Sequence, residues 1–138
     1  MARLRQRLVR EEGLTLIELF FVVAVMTILL AIAVPAYVAY KGRGNQAVAK
    51  ADVHAALPVV EAYRADCGKY ADAAASECAD GVAHTFDVAG LKSYEPGLKL
   101  LTVKSVGGGT GYCVDAQVGG ESASFTGPGG SIATTGCA

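Results

Sequence analysis

Residues 14–34 carry one charged side chain, Glu18, and neither glycine nor proline. As an α-helix this run covers roughly 31 Å, the thickness of a bilayer's hydrocarbon core. A single segment satisfies its backbone in lipid only as a helix. Arg3, Arg5, Arg7 and Arg10 precede it. Basic residues on that side keep the N-terminus cytoplasmic and send the C-terminal part across the membrane. The run therefore divides the chain into a short basic lead, an apolar helix and an exported domain. The 138 residues leave room for one small domain, and 17 glycines predict a loop-rich fold with a modest core.

Of 12 basic and 13 acidic side chains, the first 13 residues hold those four arginines against Glu11 and Glu12. The remainder is net acidic and shows no basic patch of the kind nucleic-acid binding needs. Cys67, Cys78, Cys113 and Cys137 all lie beyond the apolar run. None belongs to a CxxC pair, and His54 and His84 are not spaced with them as zinc ligands are, so no metal is expected. An even number of cysteines in a small exported domain reads as two disulfides; four free cytoplasmic thiols is the competing reading. Four cysteines allow three connectivities, of which 67–78 with 113–137 is preferred. No serine, threonine or aspartate sits in a recognisable catalytic context, so neither enzymatic activity nor a cofactor is expected.

Three readings compete for the apolar run. It can be a plain anchor. It can be a signal peptide removed behind it, since Ala31-Ile32-Ala33 and Val34-Pro35-Ala36 resemble cleavage sites. It exceeds the usual apolar core of a signal peptide, about 7–15 residues, and a signal peptide gains nothing from Glu18. The third reading uses that carboxylate. The stretch Gly13-Leu14-Thr15-Leu16-Ile17-Glu18-Leu19 closely resembles the type IV prepilin signature, and the likeness continues through Pro35-Ala36-Tyr37 and Tyr40. It covers the first third of the chain, and a glycine, a glutamate and a long apolar run in this order form a specific motif. Leu14, Glu12 and the length of the lead differ from the family's commonest pattern and leave the subfamily open.

The resemblance implies that a prepilin peptidase cuts after Gly13, that the new amine on Leu14 is N-methylated, and that the apolar segment is retained. Gly13 has no Cβ, which lets a peptidase draw the backbone close. A carboxylate within a bilayer costs a few kcal/mol unless paired or near the surface. In the family the glutamate meets the new amine of a neighbouring subunit. At Glu18 such a pair neutralises both charges in apolar surroundings and fixes register. A simpler role for Glu18 is to reach the cytoplasmic interface or to pair with Arg10. The implied partners are other copies or other pilins, the prepilin peptidase, an assembly platform protein and an ATPase. The implied location is the membrane as a single-pass precursor, then a cell-surface filament. Adhesion, twitching motility and DNA uptake come with the family and from no residue here. The rivals are a pseudopilin of a type II secretion or competence system, and a membrane-anchored or secreted binding domain.

The expected fold is α+β, with a long N-terminal helix packed on a small antiparallel sheet. The expected organisation is a leader over 1–13, an assembly helix and linker over 14–45, and a globular domain over 46–138. Pro35 lacks an N–H and is expected to disrupt the helix at its own position, and Gly42 and Gly44 cost about 1 kcal/mol each. Residues 35–45 are therefore expected to be weakly helical. Residues 46–66 read as a helix with two apolar stripes and a polar wedge of Lys50, His54 and Glu61. Val53, Leu57 and Val60 are assigned to the domain's own sheet. Val48, Ala51, Ala55, Val59 and Ala62 are assigned to a neighbouring helix, the alternative being that both stripes are buried in one subunit. Pro58 is expected to bend this helix, and Cys67-Gly68 to end it. Residues 71–90 read as a loop whose acids, Asp72, Glu77, Asp80 and Asp87, lack the ligand spacing of a calcium loop. Strands are predicted over 98–106, 112–118, 122–126 and, weakly, 131–135, separated by glycine-rich turns that imply hairpins. The stretch Gly107-Gly108-Gly109-Thr110-Gly111 is no phosphate loop, as it lacks the lysine and lies between strands.

Overall fold

The computed structural model describes residues 15–137. One helix, α1, spans Leu16–Cys67, and a short helix, α2, spans Val88–Tyr94. Four strands come after them: β1 Thr102–Val106, β2 Gly111–Val118, β3 Glu121–Gly127 and β4 Ile132–Ala133. They form one antiparallel sheet in the order β1-β2-β3-β4. The architecture is α+β, with the C-terminal half of α1 and the sheet contributing to one core. The chain divides into two compact units between Ala39 and Tyr40.

Within the second unit α1 buries Ala49, Val53, Ala56, Val60, Tyr63 and Cys67. This alternation of four- and three-residue steps keeps one face of a helix on one neighbour. Opposite lie Val103 of β1, Tyr112, Val114 and Ala116 of β2, and Ala123 of β3. Val53 and Val60 are buried, and Leu57 packs against the same core from a half-buried position. Val48, Ala51, Ala55 and Ala62 are exposed and Val59 is half-buried, so the second stripe is not covered by this chain. Lys50, His54 and Glu61 are exposed as well.

The expectation of a disrupted helix at Pro35 and a weak one over 35–45 is corrected: α1 runs unbroken through Pro35, Gly42 and Gly44. Proline forfeits one backbone bond, which leaves helix on both sides able to continue. Tertiary contacts just beyond the glycines offset their cost: Gln46 Nε2 donates to the Ser122 carbonyl at 2.8 Å, and Ala49 is fully buried in the core. Propensity is a weak prior that such contacts override. Helix α1 also passes through Pro58, whose missing donor faces the carbonyl of exposed His54.

The helix ends at Cys67. Gly68 has φ +75°, and its N–H donates to the Arg64 carbonyl at 2.7 Å. A left-handed glycine directly after the last turn caps the orphan carbonyls. Cys67 is bonded to Cys78. The loop beyond is held by its acids. Asp72 accepts from Phe86 N, Glu77 from Lys69 and Ala74 N, Asp80 from Val82 N and His84, and Asp87 from Gly90 N. Lys69 holds the Glu77 carboxyl below the usual range, and His84 does the same for Asp80. A bridge between Ala73 and His84 closes the loop on itself. Tyr63 sits beneath it, fully buried, its hydroxyl 2.8 Å from the Ala71 carbonyl and 3.1 Å from that of His84.

Strand β2 is covered on both faces. Tyr112, Val114 and Ala116 belong to the core, whereas Cys113 and Asp115 alternate to the other face. The C-terminal segment lies there. Cys137 is bonded to Cys113, and the Ser124 hydroxyl donates to the Thr135 carbonyl. Asp115 is 4% exposed, and its Oδ1 has no partner. The β2–β3 connection is the two-glycine turn Gly119-Gly120, both with positive φ, the geometry that right-twisted hairpin strands favour.

Candidate assembly surfaces on the N-terminal helix

Gly13 and Leu14 lie outside the described residues, so the cleavage and methylation position is not among the structural observations. The described chain starts at Thr15, next to the first turn of α1. The Glu18 N–H meets the Thr15 carbonyl at 3.0 Å and the Thr15 hydroxyl at 3.3 Å. Thr15-Leu16-Ile17-Glu18 thus has the threonine and glutamate spacing of a capping box, with the threonine side of it made. A carboxylate in the first turn also complements the positive end of the helix dipole. Sequence reasoning missed this local role, although its four-residue signature is legible. It is compatible with an intermolecular role, because the Glu18 side chain is exposed.

From Leu16 to the unit boundary the helix presents apolar side chains outward all round. Leu16 is 86% exposed, Phe20 66% and Ile32 69%. The most apolar window has a mean hydropathy of 2.8, and none of it is buried by this chain. Phe21, Val22, Val25, Met26 and Leu29 enclose a shallow apolar hollow of about 370 Å³. Thr27 directs its hydroxyl to the Ala24 carbonyl at 2.8 Å and so brings no unpaired polar group into this surface. Helices apolar on every side lie in a membrane or among other helices, and exposed apolar surface of this extent marks an interaction site. Pro35 is exposed on the same segment.

A second surface lies within the outer unit, and sequence reasoning did not anticipate it. Asp52, Ala55 and Ala62 of α1 face Tyr94, Leu98 and Lys99 across a groove of about 530 Å³. Asp52 Oδ2 is buried without a hydrogen-bond partner, and the Tyr94 hydroxyl is buried beside the Asp66 carboxylate. Burial, then the Asp66 carboxylate, push the Tyr94 phenol up to about 12. Ala55 and Ala62 belong to the uncovered small-residue stripe of α1, but nothing in the spacing of Tyr94 or Leu98 places them opposite it. Among the described residues no three His, Cys, Asp or Glu side chains are grouped to hold a metal ion.

A long apolar helix whose outer half packs on a small antiparallel meander fits the architecture of type IV pilins. One relative is a major pilin: over 63 residues the chain is 37% identical to the type IV major pilin protein PilA of Myxococcus xanthus (strain DK1622). That stretch makes up 46% of this chain and 29% of the relative's length. No protein-family model matches the chain, and no solved structure matches it.

Proposed function

We propose that the chain is a structural subunit of a type IV pilus-like filament, cut after Gly13, methylated on Leu14 and polymerised through α1. The observation that carries this reading is the all-apolar, uncovered surface of α1 before Ala39, broken by one carboxylate at Glu18. A plain anchor uses the apolar surface and leaves Glu18 only its local role in the first turn. A filament also gives the carboxylate a counter-charge in apolar surroundings. The likeness to a major pilin supports the same reading. The subunit then waits in the membrane as a single-pass protein and leaves it when other copies replace lipid around α1. A prepilin peptidase, a platform protein and an ATPase are the machinery this route requires.

Glu18 tests the proposal without disturbing the outer domain. Replacing it with alanine is expected to leave the domain folded and the chain membrane-bound, while filament yield drops by about tenfold or more, the scale of a lost buried charge pair. Wild-type filament yield from Glu18→Ala contradicts the proposed pairing. A pseudopilin shares every step up to polymerisation. Long surface filaments from the wild type favour a pilin over short periplasmic ones.

A further inference from the structure

We infer that the groove between α1 and the segment after α2 docks a second copy of this chain, whose basic α1 stretch over 41–50 sets a cation against Asp52. The inference deepens the filament reading and rests on it. Asp52 has one carboxylate oxygen hidden from water with no donor of its own chain. Tyr94 stands on the facing wall, with its hydroxyl buried beside the Asp66 carboxylate. Burying a charge is costly without a partner, and the cost is offset when a cation arrives from outside. Lys99 lines the same groove but makes no ion pair with Asp52, and Glu95 accepts from Gly97 N instead of holding Lys99.

The occupant follows from charge and size. The α1 wall carries alanines at positions 55 and 62, which let a second backbone come close. Lys41, Arg43 and Lys50 are exposed on α1, and no acid of the described residues pairs with them. Small residues, Gly42, Gly44 and Ala47, lie between them. The stretch carries three cations, and the groove carries Asp52 and Glu95 against the single Lys99. The two patches differ, so one copy's groove meets the next copy's helix. Such a head-to-tail contact does not close a two-fold dimer, and it propagates into an open filament where the rotation between copies does not close a ring.

The test uses the full chain, produced with its leader beside a prepilin peptidase and an assembly machinery. Filament yield and the melting temperature of the detergent-extracted subunit are both measured. Asp52→Asn is expected to leave the melting temperature unchanged or raise it, because it removes an unpartnered charge, while lowering filament yield. Asp52→Lys is expected to lower the yield about tenfold or more. Reversing Lys41, Arg43 or Lys50 to glutamate in the Asp52→Lys chain is expected to restore filaments at one of these positions. Wild-type yield from Asp52→Lys, a loss of yield that tracks a loss of melting temperature, or no rescue at any of the three positions overturns the groove contact alone. Absence of filaments from the wild-type chain overturns the filament reading and this inference together.

Discussion

Gly119 opens the β2–β3 turn at φ +57°, and a Cβ built on it would stand 2.1 Å from Asn45 Nδ2. The positive φ requires glycine, and any Cβ would also force the Asn45 side chain to shift. Gly119→Ala is expected to destabilise the chain by about 1–3 kcal/mol. Urea denaturation followed by circular dichroism reads this, and adding Asn45→Ala should relieve the collision but not the backbone strain. An unchanged midpoint for Gly119→Ala contradicts this expectation. The buried tyrosines set a second one. Burial pushes the Tyr94 and Tyr112 phenols up to about 12, with Asp66 and Glu61 respectively the next contributors. The fold thus favours the neutral phenol. Its contribution is complete below the ordinary tyrosine value near 10 and is lost as pH rises through 12. Absorbance at 295 nm should therefore show part of the tyrosines ionising only with a cooperative unfolding step in that window. Full ionisation near pH 10 with the fold intact contradicts it.

At the scale of elements, the two disulfides hold the parts with least regular structure. Cys67–Cys78 fastens the end of α1 to the acid-pinned loop, and Cys113–Cys137 fastens the C-terminal segment over the outer face of β2. Replacing either pair with serine is expected to cost about 2–4 kcal/mol. Thermal denaturation should rank both variants below the parent under oxidising conditions and abolish the difference under strong reductant. Much of this level is legible in the sequence. The apolar run, Gly68 and the glycine turns mark the ends of α1 and of the strands through chemistry that acts locally. The features that escape a sequence reading depend on distant partners. Ala49, Ala56, Tyr63 and Cys67 form the buried stripe with Val53 and Val60, but alanine carries too little apolar surface to announce it. Helix α2 has a legible cap in Asp87, whose Oδ1 accepts from Gly90 N, yet its short run contains Gly90. Its stability comes from Leu91, fully buried in the core. Strand β1 begins at Thr102 and not near Leu98, because Leu98 turns into the core before pairing with β2 begins. Beside Gly42 and Gly44 the helix is tied to the sheet by Gln46 reaching Ser122, a contact no local window contains.

At the scale of the molecule, one chain carries two surfaces that it leaves uncovered. The first is the apolar helix with Glu18, and the second is the groove at Asp52. A membrane covers the first, and on the proposed reading a polymer covers both. On the proposed reading the order of events begins with removal of the leader, because an amine on Leu14 able to pair with Glu18 would exist only after the bond following Gly13 is cut. The most direct test is the intact mass and N-terminal sequence of the protein taken from its native membrane fraction. A chain beginning at Leu14 and heavier by one methyl group is expected. A chain beginning beyond the apolar run, after Ala33 or Ala36, contradicts the filament reading, because the helix on which assembly depends is then absent from the mature protein.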